Sequence, residues 1–224
     1  MPIYLHSILF TLVVVLLLQL QVEPVVCADT PFGFEGSDAG ELFEAGPQDK
    51  QDPVPRNKRT QSQSEQSKMT PDDVIEIMKL GNRRFMSDSL TKRVHTKQVR
   101  AAALGQFPKA IVLGCVDSRV PVEDVFDLGI GDVFVARIAG NFANTDIIGS
   151  MEFACKVSGS MVVMVMGHED CGAIMGAIDR VQLGNLTATL NNLQPAVQAV
   201  PGFEGDRDAT NGKFVQAVAD KMSF

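Results

Sequence analysis

Ala110-Ile111-Val112-Leu113-Gly114-Cys115-Val116-Asp117-Ser118-Arg119 opens as an apolar run and closes on a thiol, a carboxylate and a guanidinium. A short, wholly apolar run of this kind reads as a strand buried on both faces, as in a parallel sheet covered by helices. A second run, Met161-Val162-Val163-Met164-Val165-Met166-Gly167, leads into His168, with Cys171 one helical turn further on. In an open α/β sheet, ligands bind in the crevice beyond the carboxyl ends of the strands. Cys115, His168 and Cys171 are therefore expected to meet there. Two thiolates and one imidazole suit a tetrahedral zinc ion, and three protein donors leave one position for water or an anion, the pattern of a catalytic zinc.

Outward from these two runs, the sequence alternates helical and strand signals. Thr70-Pro71-Asp72-Asp73 supplies an N-cap, a proline at the first helical position and acids in the first turn. Val74, Ile77, Met78 and Phe85 continue it as an apolar stripe. Helix is expected over part of 92–105, then a strand over Ala110–Cys115, a short helix over Pro121–Leu128 and a strand over Asp132–Ile138. Asn144 or Thr145 caps a helix reaching about Val157, and Met161–Gly167 is the third strand. A helix from about Cys171 to Leu183 and two more over 186–199 and 208–221 complete the order. The fold class is α/β, a mainly parallel β-sheet flanked by helices.

The ends of the chain read differently. Ile8 to Leu20 is nearly all aliphatic, too short for a comfortable membrane span and long enough for the apolar stretch of a secretory leader. Val26-Cys27-Ala28 offers a small-residue cleavage site, although no Lys or Arg precedes the apolar stretch. The expected organisation is a signal peptide over 1–28, a disordered linker or propeptide over 29–69 and a zinc domain over 70–224. That makes the protein secreted or extracytoplasmic, with no stable membrane span once the leader is cut. Arg56-Asn57-Lys58-Arg59 reads as a solvated basic cluster, with dibasic processing as the sharper alternative. Cys27 would leave with the leader and Cys155 reads as a buried helix residue, so no disulfide is expected. A net charge of −7 with no Trp and one Tyr argues against nucleic acid as a partner. Asn185-Leu186-Thr187 is a glycosylation sequon, usable on a eukaryotic secretory route if exposed.

The residues after the first run carry the chemistry. If the chain stays extended past the strand, alternate side chains share a side, so Cys115, Asp117 and Arg119 converge. Taken alone, Asp117 with Arg119 is a surface ion pair. Beside a metal-type cysteine, the carboxylate has two possible jobs. It can ligate the metal as a fourth protein donor, or pair with the planar Arg119 fork and accept a hydrogen bond from metal-bound water. In His168-Glu169-Asp170-Cys171, a helical turn puts both donors on one face. The following helix start is expected to aim N–H groups at Cys171 and lower its proton affinity.

These segments resemble the β-class carbonic anhydrases, which carry Cys-x-Asp-Ser-Arg and, far downstream, Gly-His-x-x-Cys-Gly. Here they read Cys115 to Arg119 and Gly167 to Gly172. The likeness continues through Gly81-Asn82-Arg83-Arg84-Phe85, Gly105-Gln106-Phe107-Pro108, Gly131 to Arg137, Ala139-Gly140-Asn141 and Gly184-Asn185-Leu186-Thr187, over about residues 70 to 220. It implies one Zn2+ per chain on Cys115, His168 and Cys171, with Asp117 and Arg119 as a catalytic dyad. It also implies substrate contacts from Gln106 and Phe134, with Phe153 where some members have Tyr and Ala139 where a larger Val occurs. The implied reaction is reversible hydration of carbon dioxide to bicarbonate and a proton, through a zinc-bound hydroxide assisted by the dyad. The implied unit is a homodimer or a multiple of one. The family's C-terminal strand and helices have no counterpart after Lys221, so the domain is expected to be C-terminally short. The alternatives are a non-catalytic zinc- or bicarbonate-binding protein and a CS2 or COS hydrolase on the same fold. In either arrangement of Asp117, open or metal-ligated, the three donors stay the same.

Overall fold

The computed structural model describes residues 59–222. Two helices, α1 (Gln63–Gln66) and α2 (Pro71–Met86), precede α3 (His95–Ala102), β1 (Ala110–Gly114), α4 (Val122–Val125) and β2 (Val133–Arg137). Then come α5 (Thr145–Glu152) with a π-helical turn over Phe153–Val157, β3 (Val162–Met166), α6 (Gly172–Ile178), α7 (Gly184–Asn191), α8 (Gln194–Gln198) and α9 (Gly212–Lys221). The sheet has the order β2-β1-β3, and both pairings are parallel. Gly114 stands level with Arg137 on one side and Met166 on the other, so all three strands end at one rim. The expected α/β class with a parallel, helix-flanked sheet is what forms.

Period-two alternation along the strands divides the core into two faces. Ala110, Val112, Val162, Met164 and Met166 point to one side, against Val74 and Met78 of α2 and Val122 and Val125 of α4. Ile111, Leu113 and Val165 point to the other, against Met151 and Ala154. Helix α2 begins as its sequence requires: Thr70 accepts from the Asp73 N–H, and the Asp73 carboxylate returns to the Thr70 N–H. Its Gly81 lies so close to the Phe126 carbonyl that an added Cβ would sit 1.8 Å from that oxygen. Only glycine allows that approach. Asn144 caps α5 through the Ile147 N–H.

Several expectations change. Residues ahead of position 70 already pack: Thr60, Gln61 and Gln66 are buried, and the Gln66 amide donates to the carbonyls of Pro108 (2.8 Å) and Ser158 (2.9 Å). A polar composition reads as tail, yet here one amide closes two backbone acceptors at the amino end of the sheet. The helix expected from Cys171 to Leu183 stops at Ile178, where Arg180 takes a left-handed φ of 53°. The segment expected as one helix over 186–199 is two, with Pro195 in the first turn of the second. Cys155 is buried as expected but is disulfide-bonded, which corrects the expectation of no disulfide. The leader expected over 1–28 also lies outside them. Among the described residues no helix is long and apolar enough to cross a membrane.

Candidate metal centre

The rim where the strands end gathers the expected donors. Cys115 follows β1 directly, His168 stands two residues beyond β3, and Cys171 occupies the N-cap position of α6. Their ligand atoms all lie within 4.8 Å of one another. The Cys115 and Cys171 sulfurs are 3.9 Å apart, and with metal–sulfur bonds of about 2.3 Å a tetrahedral angle gives about 3.8 Å. His168 Nδ1 is bonded to the Glu169 carbonyl at 2.8 Å. Nε2 is buried without a hydrogen-bond partner among the described residues. An imidazole tethered at one nitrogen, with the other bare and aimed at two sulfurs, is the arrangement of a metal ligand. The donor set fits a borderline-soft, tetrahedral cation.

Beside it, Arg119 grips Asp117 through its fork, Nε to Oδ1 at 2.9 Å and Nη2 to Oδ2 at 2.8 Å. The Arg119 backbone N–H adds a third bond to Oδ1 at 2.9 Å. Asp117 Oδ2 is 3.9 Å from His168 Nε2, so the carboxylate borders the donor cluster while remaining engaged with arginine. Arg119 also donates to the Asp170 carbonyl at 3.2 Å, tying the loop after β1 to the loop after β3. Asp117 is mostly buried, whereas Arg119 is mostly exposed.

Two contributors were not legible in the sequence. Arg137, at the end of β2, donates from Nε to the Cys115 carbonyl at 2.7 Å and from Nη2 to the Asp117 carbonyl. It holds the backbone of the very loop that carries both side chains. The Gly140 N–H points at the Cys115 sulfur, 3.4 Å away. Gly140 has φ 81°, and an added Cβ would collide with Leu193, so the turn that presents this N–H needs glycine. A strand-terminal arginine and a loop glycine carry no distinctive spacing.

Charge in the cluster is shared. The Cys171 thiol donates toward Cys115 and, with His168 and the Gly140 N–H, holds the Cys115 thiol far below its ordinary range. The Cys115 thiolate and burial push the Cys171 proton affinity up instead. The N–H groups of Ala173 and Ile174 do oppose this, as the helix start predicts, but the neighbouring sulfur outweighs them. Cys115 likewise raises the His168 pKa against the effect of burial. The Arg119 hydrogen bonds keep Asp117 well below the usual carboxylate range.

Gln106 and Phe134 are not part of this assembly within one chain. Gln106 is exposed on the loop before β1, and the strand between it and Cys115 is roughly 16 Å long. Phe134 lies in the middle of β2, its ring 6.1 Å from that of Phe153. Both rings line an open groove of ≈ 610 Å³ between β2 and α5, along with Ile111, Ile147 and Asp146.

Comparison with known proteins gives a consistent answer. The family model described as carbonic anhydrase matches residues 110–222. Carbonic anhydrase 2 of Mycobacterium tuberculosis is 39% identical over 110 residues, which are 49% of this chain and 53% of that protein. Carbonic anhydrase of Mycolicibacterium smegmatis is 38% identical over 113 residues, again 49% of this chain and 53% of that protein. The chain spans about half the length of the curated relatives it matches. A solved β-carbonic anhydrase of the fungal pathogen Aspergillus fumigatus is 27% identical, covers 56% of this chain and 61% of its own, and superposes with a TM-score of 0.47.

Proposed function

The chain belongs to the β-class carbonic anhydrase family, and on that premise we propose that it catalyses the reversible hydration of carbon dioxide to bicarbonate and a proton. The observation that carries this reading is the convergence of Cys115, His168 and Cys171 within 4.8 Å. Those three residues would hold Zn2+, one per chain. Bound there, zinc lowers the pKa of a coordinated water to about 7 and so supplies a nucleophile at neutral pH.

The chain's own groups do the rest. Asp117 lies beside the three donors with both of its oxygens engaged by Arg119. Asp117 Oδ2, 3.9 Å from His168 Nε2, would accept a hydrogen bond from a water or hydroxyl beside the donor cluster and so orient it toward carbon dioxide. Arg119 holds both carboxylate oxygens and so would keep Asp117 from serving as a fourth ligand. Gln106 and Phe134 serve as substrate contacts only if they reach the centre from a second copy, because within one chain they stand away from it. That placement supports a homodimer, or a multiple of it, as the working unit. The apolar leader supports a secreted or extracytoplasmic site of action.

Purified protein assayed for zinc content and for hydration by stopped flow tests this. Asp117→Asn is expected to lower turnover by at least two orders of magnitude with zinc near one per chain. Loss of zinc along with activity would make Asp117 a ligand, and one zinc without turnover in well-folded wild type would leave a binding protein. Turnover of CS2 or COS in place of carbon dioxide would move the substrate.

A further inference from the structure

We propose that Asn185 is an N-glycosylation acceptor, carrying an oligosaccharide on the flank of the domain away from the metal centre. The site rests on the secretory route proposed above, and on four features of this chain. Asn185-Leu186-Thr187 has the required Asn-x-Thr form with no proline at its centre. Asn185 is the second residue of α7, in a corner where Gln182, Leu183, Gly184 and Asn185 are all exposed. Its carboxamide makes no hydrogen bond among the described residues. Val181 (40% exposed) and Leu183 (65% exposed) flank it, apolar side chains that a sugar chain would shield from water.

Position also favours it. Helix α6 starts beside Cys171 and spans roughly 10 Å before the chain turns into the corner that bears Asn185. A bulky, solvated substituent there leaves the rim of the sheet open. In the reaction, the Asn185 side-chain nitrogen attacks the anomeric carbon of a lipid-pyrophosphate-linked oligosaccharide. One N–C bond forms, the C–O bond to the pyrophosphate breaks, the nitrogen gives up one proton, and the lipid pyrophosphate leaves. No electrons are exchanged.

Thr187 has a second job that the test must separate from the sugar. Its Oγ1 accepts the Leu183 N–H at 2.8 Å, closing the first turn of α7. The full chain, expressed in a eukaryotic secretory cell, is followed in medium and in lysate before and after digestion with peptide-N-glycosidase. The secreted chain is expected to drop in apparent mass on digestion, with residue 185 converted to aspartate in its tryptic peptide. Asn185→Gln abolishes the whole shift while leaving the Thr187 hydrogen bond intact; Thr187→Ser keeps both the bond and the shift. Secreted chain without a shift overturns the glycan and leaves the route standing. Chain retained in the cytosol, unmodified, overturns the route and the glycan together. A shift that survives in Asn185→Gln places the sugar elsewhere and also overturns the proposal.

Discussion

Arg137 is the residue on which the geometry of the centre leans most without touching it. Its two donors fasten the carbonyls of Cys115 and Asp117, so it sets the path of the loop rather than its chemistry. Arg137→Met keeps the aliphatic stem and removes both donors. The expected result is a fall in turnover of roughly tenfold, from small misplacement of Asp117, with zinc retained and the melting temperature nearly unchanged because the side chain is exposed. Turnover equal to wild type in stopped flow would remove Arg137 from any positioning role. The three donors themselves were legible because each sits where an apolar run stops, and because their spacing matches nothing a buried strand needs. Arg137 was not, since an arginine closing a strand looks the same whether it faces water or a carbonyl. Gln106 was legible as a motif, yet it precedes β1 and so stands at the amino end of the strand, opposite the rim where the donors gather.

At the level of elements, Asp127 joins α2, the 91–93 loop and the end of α4. Its fully buried carboxylate accepts from Arg84 at 2.5 Å, Arg93 at 2.6 Å, and the Thr91 hydroxyl at 2.6 Å and N–H at 3.0 Å. Burial alone would raise its pKa, but the hydrogen bonds from Thr91, Arg84 and Arg93 outweigh it and hold the pKa below that of an ordinary carboxylate. A depressed folded-state pKa contributes stability above the unfolded value, about 3.9, and that stability fades as pH falls through the folded value. Asp127→Asn leaves two guanidinium groups facing a neutral amide, and is expected to cost about 3 kcal/mol at pH 7. Urea unfolding should show the gap to wild type closing at pH values below the folded pKa. A gap of the same size at both pH values would mean the carboxylate charge contributes nothing. The element boundaries themselves followed caps and prolines closely, as at Thr70 and Asn144. They failed where a left-handed residue, Arg180, ended a helix that apolar periodicity would have continued.

At the scale of the molecule, the open groove between β2 and α5, with Phe134 and Phe153 on its walls, offers a surface on which the proposed dimer would pair. Phe153 is half-exposed on that wall. If each centre draws Gln106 from a second copy, two inactive variants should complement. Cys115→Ser chains lack a donor and Gln106→Ala chains lack the substrate contact, yet one of the two sites in their mixed dimer is whole. Activity after co-refolding should reach roughly a quarter of wild type, since random pairing makes about half the dimers mixed and each has one intact site of two. No recovery, with mixed dimers verified by mass, would place each site within a single chain. The α/β class was readable from alternating signals alone. The groove was not, because a wall carrying Phe153 has no periodicity that distinguishes it from an exposed helix face.

The Gln66 anchor has a practical corollary for anyone who cuts this polypeptide. A protease or an expression plasmid that removes everything through Arg59 keeps the buried Thr60 and Gln61 and the amide that closes the Pro108 and Ser158 carbonyls. Starting instead at Thr70, where the first strong helix signal begins, uncaps those acceptors and bares the lower edge of the sheet. The stretch from Thr60 to Gln66 thus belongs to the globule, and a cut within it opens the sheet from below.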